Sequence, residues 1–160
     1  MRKLLISAIA ALSMGLGATG QVLAQPFVFT AIPDQDETRL RARFDKVANY
    51  LHEKLGVEVK YVPVKSYSAA VTAFRNNQVQ LAWFGGLSGV KARLAVPDSQ
   101  AIAQGFEDPN FETYFIAHKS TGLKPSDDFP SAIEGKTFTF GSKGSTSGRL
   151  MPEYHIRQNF

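Results

Sequence analysis

The strongest constraint in this sequence is an alternation between two kinds of segment. The runs FVFTAI at 27–32, VEVKYV at 57–62 and VQLAWF at 79–84 are β-rich, and QAIA at 100–103 reads as a fourth, shorter strand. Between the first two, Leu40, Phe44, Val47, Ala48, Leu51 and Leu55 recur at helical spacing, with Arg41, Asp45, Asn49, His52 and Glu53 on the other face. Gly56 closes that helix, and Asp34 and Glu37 have the spacing of a capping box. Residues 66–76 form a second helix with Ala70, Val71 and Phe74 inward. Leu87, Val90 and Leu94 support a third, ending before Pro97. Strand–helix alternation of this kind predicts a parallel sheet covered by helices. Right-handed crossovers place the strand-to-helix loops on one edge of the sheet, the edge at which open α/β folds hold ligands.

The pattern changes near Gly105. Residues 107–110 read as a turn, 113–118 as an aromatic-rich strand, 131–134 as one helical turn and 137–140 as another strand. The last helix runs to Asn159. The chain therefore divides into a first α/β unit at 25–104 and the start of a second at 105–160. Two clear strands make a poor core by themselves, so the expectation is the front part of a longer protein.

Residues 1–24 read as a secretory signal peptide: Arg2 and Lys3, a short apolar core, and Val22-Leu23-Ala24 before the predicted cut after Ala24. The apolar core is shorter than the roughly 20 residues that a membrane span needs, so the mature chain is expected not to span a membrane. Cleavage removes two of the 18 basic residues, against 14 acidic ones, and no basic run remains to bind nucleic acid. Cysteine is absent, which excludes thiol chemistry and cysteine metal sites and leaves an exported domain dependent on its core. Neither a metal nor a cofactor is expected.

Three strand-to-helix turns carry clustered small donors: Ser66-Tyr67-Ser68, Gly85-Gly86-Leu87-Ser88, and the segment GSKGSTSGRLMP at 141–152, with Ser145, Thr146 and Ser147 together. A helix start exposes unpaired N–H groups and partial positive charge, and so attracts an oxyanion. Each turn has a second reading. Ser and Gly are ordinary caps there, Tyr67 suits packing, and Ser88 suits a cap. The third turn is not a P-loop, because Thr146 stands where Gly-Lys-Ser/Thr would follow the spacer. Arg149 reads as a charge partner or as a solvent-facing helix residue, and Lys143 as a loop charge.

The runs YSAAVTAF at 67–74, VQLAWFG at 79–85 and STSG at 145–148, with Pro152 beyond, resemble the phosphate/phosphite/phosphonate ABC-transporter substrate-binding proteins. Within that family, IPDQDET at 32–38 and WFGGLSG at 83–89 are similar to the branch named for selenate binding. The resemblance implies a two-lobed, type-II-like periplasmic-binding-protein fold that closes on a tetrahedral oxyanion and delivers it to an inner-membrane ABC permease. It further implies that Ser145, Thr146 and Ser147 hold the anion from the second lobe and that Tyr67 contacts it from the first; Gly86 and Ser88 are candidate contacts of the first lobe on the separate ground that they begin the helix after Phe84. Family members often carry Tyr where this chain has Gly89, and Asp where it has Gln80; the second difference reads as structural. The resemblance also implies that the second lobe is truncated here.

Two other classes compete. A secreted phosphoester-processing enzyme needs a nucleophile, a base and an electrophile in one place. His52, His118 and His155 are scattered, and no HExxH, paired-carboxylate or GxSxG signature occurs. A periplasmic ligand-sensing module needs a membrane tether beyond residue 160.

Overall fold

The computed structural model describes residues 25–129 and 131–160. The expected signal peptide lies outside them. Three strands, β1 (Phe27–Ala31), β2 (Val59–Tyr61) and β3 (Leu81–Trp83), form one parallel sheet in the order β2-β1-β3. Phe29 pairs with Tyr61 on one side and Leu81 on the other. The buried Thr30 also bonds sideways, donating its hydroxyl to Val62 O at 2.6 Å. Gln80, the position where Asp is common in the resembling family, is built into the sheet: its side-chain oxygen accepts from Val28 N at 2.9 Å and its backbone N–H donates to Val28 O at 2.9 Å.

Helix α1 (Glu37–Leu55) covers the sheet through Leu40, Phe44 and Ala48. Phe44 is 3% exposed, with ring centroids 5.0 Å from Tyr61 and 6.0 Å from Phe29. These rings, with Ala31, Leu40 and Ala48, make the core, and Val47, Val59 and Leu81 pack around it. The helix is capped by Asp36, which accepts from Arg39 N at 3.0 Å, rather than by the expected Asp34 pair. Glu37 is the first helical residue and instead takes hydrogen bonds from Arg41 and Lys65. Gly56 ends the helix in the left-handed region, φ 68°, where a side chain is disfavoured.

Helices α2 (Tyr67–Arg75) and α3 (Gly86–Ala95) pack on each other. The inward face of α3 is not the expected Leu87, Val90 and Leu94. Ser88 and Ala92 are buried, while Val90 and Leu94 are 45% and 78% exposed. Small residues one turn apart let α3 lie close to its neighbours, a preference that apolar periodicity alone misses.

The second half departs further from expectation. Residues 100–103, 113–118 and 137–140 form no ladder; among the described residues the only sheet is the three-stranded one. A strand is defined by hydrogen bonds to a neighbour, and no backbone bond joins 113–118 to 137–140. Their aromatic residues cluster instead: the Phe115 ring lies 5.3 Å from Phe129 and 5.7 Å from Phe138, and Phe138 lies 4.8 Å from Phe140. A 3₁₀ turn at Ser131–Ile133 matches the expected helical turn. The last helix, α4 (Met151–Asn159), is entered through a π-helical turn at Thr146–Leu150, in which Leu150 N donates to Ser145 O at 3.1 Å.

Phe44→Ala removes the ring that joins α1 to both β1 and β2. It should cost about 3–5 kcal/mol of unfolding free energy in urea melts; a loss below about 1 kcal/mol is incompatible with this core.

A candidate ligand cradle at three helix starts

The parallel sheet directs the chain leaving β2 and β3 to the same edge, so α2 and α3 begin side by side. Ser66 caps α2 by accepting from Ala69 N at 3.1 Å, and its hydroxyl also contacts that of Ser68 at 3.0 Å. Tyr67 follows as the first helical residue. At α3 the cap is Gly85, and Ser88 supplies the polar side chain in reverse: its Oγ accepts from Gly85 N at 3.0 Å and donates to Gly85 O at 3.2 Å. Ser88 is 1% exposed. The structure thus places its hydroxyl inside the turn, bonded to Gly85, while Gly86 remains on the surface.

The segment 141–150 comes to these two starts from the second half. Gly141 N donates to Gly148 O at 2.7 Å, which pinches the loop shut. A side chain on Gly141 would meet the Gly148 backbone at 3.1 Å, so the pinch depends on the glycine. Ser145 caps the π turn by accepting from Gly148 N at 2.9 Å. Thr146 Oγ1 accepts from Leu87 N at 2.8 Å, a bond between residues 59 apart. Ser147 uses its carbonyl to accept from the Thr113 hydroxyl at 3.0 Å. Gly144 presses on Tyr67: a Cβ there would lie 2.5 Å from Tyr67 Cβ. Ser145, Thr146, Tyr67 and Gly86 are thereby brought together, and Ser88 lies one layer beneath.

Electrostatics favour donors at this edge. Burial pushes the Tyr67 phenol above its ordinary range, with the Ser145 hydroxyl acting in the opposite direction, so the phenol is neutral and keeps its proton at ordinary pH. The first amides of α2, α3 and the π turn precede any intrahelical acceptor. Arg149, one of the two readings of which made it a charge partner, is half-buried and held by Glu153 at 2.7 Å, with its guanidinium 4.2 Å from the Phe140 ring centroid. Arg157 and Arg149 in turn hold the Glu153 carboxyl below its usual range. Lys143 is exposed. It borders, with Lys91, Tyr67, Ser68, Thr72 and Ser88, a hollow of about 330 Å³ beside the helix starts. A larger hollow of about 610 Å³ runs between α2 and the chain leaving β2, through Val62, Val64, Ala73 and Val79, and has no charged residue in its wall.

One participant was not visible to sequence reasoning: the Leu87 amide has no side-chain signature. Gly144 was legible in the sequence as a glycine that lets the backbone approach closely, though not as the neighbour of Tyr67. Gly89 faces Phe84: a Cβ at Gly89 would lie 3.5 Å from Phe84 Cβ, an ordinary contact. The three histidines stay apart from the cradle: His52 Nδ1 bonds to Val57 O, His118 contacts Ser120, and His155 is exposed on α4. Among the described residues no group of three or more acidic or histidine side chains is placed to hold a metal ion, and no helix is long and apolar enough to cross a membrane.

Comparison with known proteins converges on one description. Residues 29–160 match the family model described as ABC transporter, phosphonate, periplasmic substrate-binding protein. The chain is 48% identical over 130 residues to a Prochlorococcus marinus protein named "Probable ABC transporter phosphite binding protein PhnD1", covering 80% of this chain and 44% of that one. It is 27% identical over 131 residues to the phosphonates-binding periplasmic protein of Escherichia coli, covering 80% of this chain and 38% of the other. Among solved structures, PhnD1 from Prochlorococcus marinus in complex with methylphosphonate superposes with a TM-score of 0.66 at 40% identity, over 83% of this chain and 50% of that one. The chain spans half or less of the length of the relatives it matches.

Gly144→Ala forces a methyl group into Tyr67. The expected result is a loss of about 1–3 kcal/mol in thermal or urea unfolding, with a changed near-ultraviolet tyrosine signal; unaltered stability and spectrum would show that the 141–150 segment does not rest on α2.

Proposed function

Because the chain belongs to the ABC-transporter phosphonate periplasmic substrate-binding family, we propose that it captures a tetrahedral phosphorus oxyanion and presents it to an inner-membrane permease. The family is one of periplasmic components of importers, and export of this chain by its N-terminal segment follows from the same reading. Phosphite, phosphonate and phosphate are the ligand classes named for its relatives. Selenate, suggested by the WFGGLSG run, is the competitor to be tested against them.

The observation that carries the reading is the meeting of three helix starts, with the Thr146 hydroxyl of the 145–147 cluster accepting from the Leu87 amide of α3. A tetrahedral anion offers several acceptor oxygens in a small volume, and short hydroxyls with free amides match it without a bulky cation. A hydrogen bond to a charged group contributes about 1.5–3 kcal/mol net. Three or four of them reach the roughly −8 kcal/mol of a micromolar complex. Residues 25–104 form the first lobe and 105–160 the start of the second, and the anion is enclosed when the two close. Ser145, Thr146, Ser147, Tyr67 and Gly86 make the contacts, and Ser88 shapes the α3 turn from beneath.

Calorimetric titration of the full-length exported protein with phosphite, methylphosphonate, phosphate, selenate and sulfate tests this. Heat is expected with at least one phosphorus oxyanion, and the joint replacement of Ser145, Thr146 and Ser147 by Ala should weaken that ligand by about tenfold or more, or about 1.4 kcal/mol. Absence of heat with all five ends the reading.

A further inference from the structure

We propose that Thr146 is a positioning residue: it seats the 141–150 segment on the start of α3 before any ligand arrives, and in doing so keeps its own hydroxyl proton available to donate. The proposal rests on the oxyanion reading of this site and adds a division of labour within it.

A hydroxyl has one proton and two lone pairs. One lone pair of Thr146 Oγ1 takes the Leu87 amide at 2.8 Å. Leu87 is the second residue of α3, so its N–H has no acceptor within the helix. The bond therefore satisfies an orphan amide and ties together parts of the chain that share no sheet. The Thr146 proton takes part in no other hydrogen bond among the described residues. An amide donating into a hydroxyl oxygen also polarises its O–H and strengthens onward donation. Ser145 differs: its Oγ accepts from Gly148 N at 2.9 Å and its hydroxyl acts on the Tyr67 phenol. Of these two hydroxyls it is Thr146 whose proton is left to donate, and the acceptor oxygens of an anion suit it.

Gly86 gives the bond its room. A Cβ at Gly86 would lie 3.2 Å from Thr146 Oγ1 and 3.7 Å from its Cγ2. The turn beneath is held in place by the Ser88 hydroxyl on Gly85. A Thr146 that merely touched ligand would hold no bond for a methyl group at Gly86 to disturb; a Thr146 that docks on α3 has to shift by a few tenths of an ångström to admit one, at the expense of its bond to Leu87.

The test pairs two readouts on the full-length exported protein and its T146V, T146S and G86A variants. The first is amide hydrogen exchange of Leu87 by NMR without ligand, and the second is titration with methylphosphonate. Leu87 should exchange slowly in the wild type and T146S, and about tenfold or more faster in T146V and G86A, as expected for loss of one hydrogen bond. Affinity should fall by about tenfold in T146V and G86A and stay within about threefold in T146S. Equal Leu87 exchange in wild type and T146V overturns the proposal, as does G86A with wild-type exchange. Thr146-dependent protection without methylphosphonate heat in any protein leaves the docking intact and counts against the oxyanion reading instead. G86A keeps every hydroxyl, so it decides the matter even where T146V folds poorly.

Discussion

The parallel pairing of β1 with both of its neighbours is the constraint on which the rest of the molecule depends. Because β2, β1 and β3 all point the same way, the chain leaves β2 and β3 at a common edge and must begin each covering helix there. Two sets of unsatisfied amides are then neighbours by construction. An antiparallel arrangement of the same strands would send one of those helix starts to the far side of the sheet. The aromatic packing of Phe44 on Phe29 and Tyr61 holds α1 against the sheet. It contributes nothing to the cradle except a rigid base, which is what a site made largely of backbone groups needs.

Closeness at the cradle is achieved by leaving side chains out. Gly144 against Tyr67, Gly86 against Thr146 and Gly141 against Gly148 are three places where a Cβ would come within 3.2 Å of a neighbour. The segment from the second half can therefore approach the first to hydrogen-bond distance. Arg149 is turned aside by Glu153 and the Phe140 ring, whereas Lys91 and Lys143 border the hollow beside the helix starts. What the helix starts bring together is then chiefly backbone dipoles and short hydroxyls, whose directions the fold fixes.

Much of the first half was legible in the sequence because its signals are local. Hydrophobic spacing located α1, the alternating runs located all three strands, and Gly56 marked a helix end. Errors arose where a tertiary preference competed with a local one. Asp34 and Asp36 both precede α1, and only the geometry of entry selects Asp36. Ala92 and Ser88 are buried in α3 over the larger Val90 and Leu94, because close helix packing prefers small side chains. Strands expected at 113–118 and 137–140 have the right composition, but a strand also requires a partner, and β-propensity says nothing about whether one is present. Of the cradle, the three hydroxyl-bearing turns were recognisable, whereas the amide of Leu87 was not, since a backbone group has no letter of its own.

The lone tryptophan of the sequence, Trp83, closes β3 two residues before the Gly85 turn. Its carbonyl accepts from Ile32 N at 3.0 Å and its ring lies 6.3 Å from that of Phe44, yet 38% of its surface remains open. An indole anchored on one side and wet on the other is a natural fluorophore whose emission colour follows local hydration. Since no second indole in this sequence contributes background, the chain carries its own optical gauge of how much water stands where β3 meets α1, and no label has to be attached to read it.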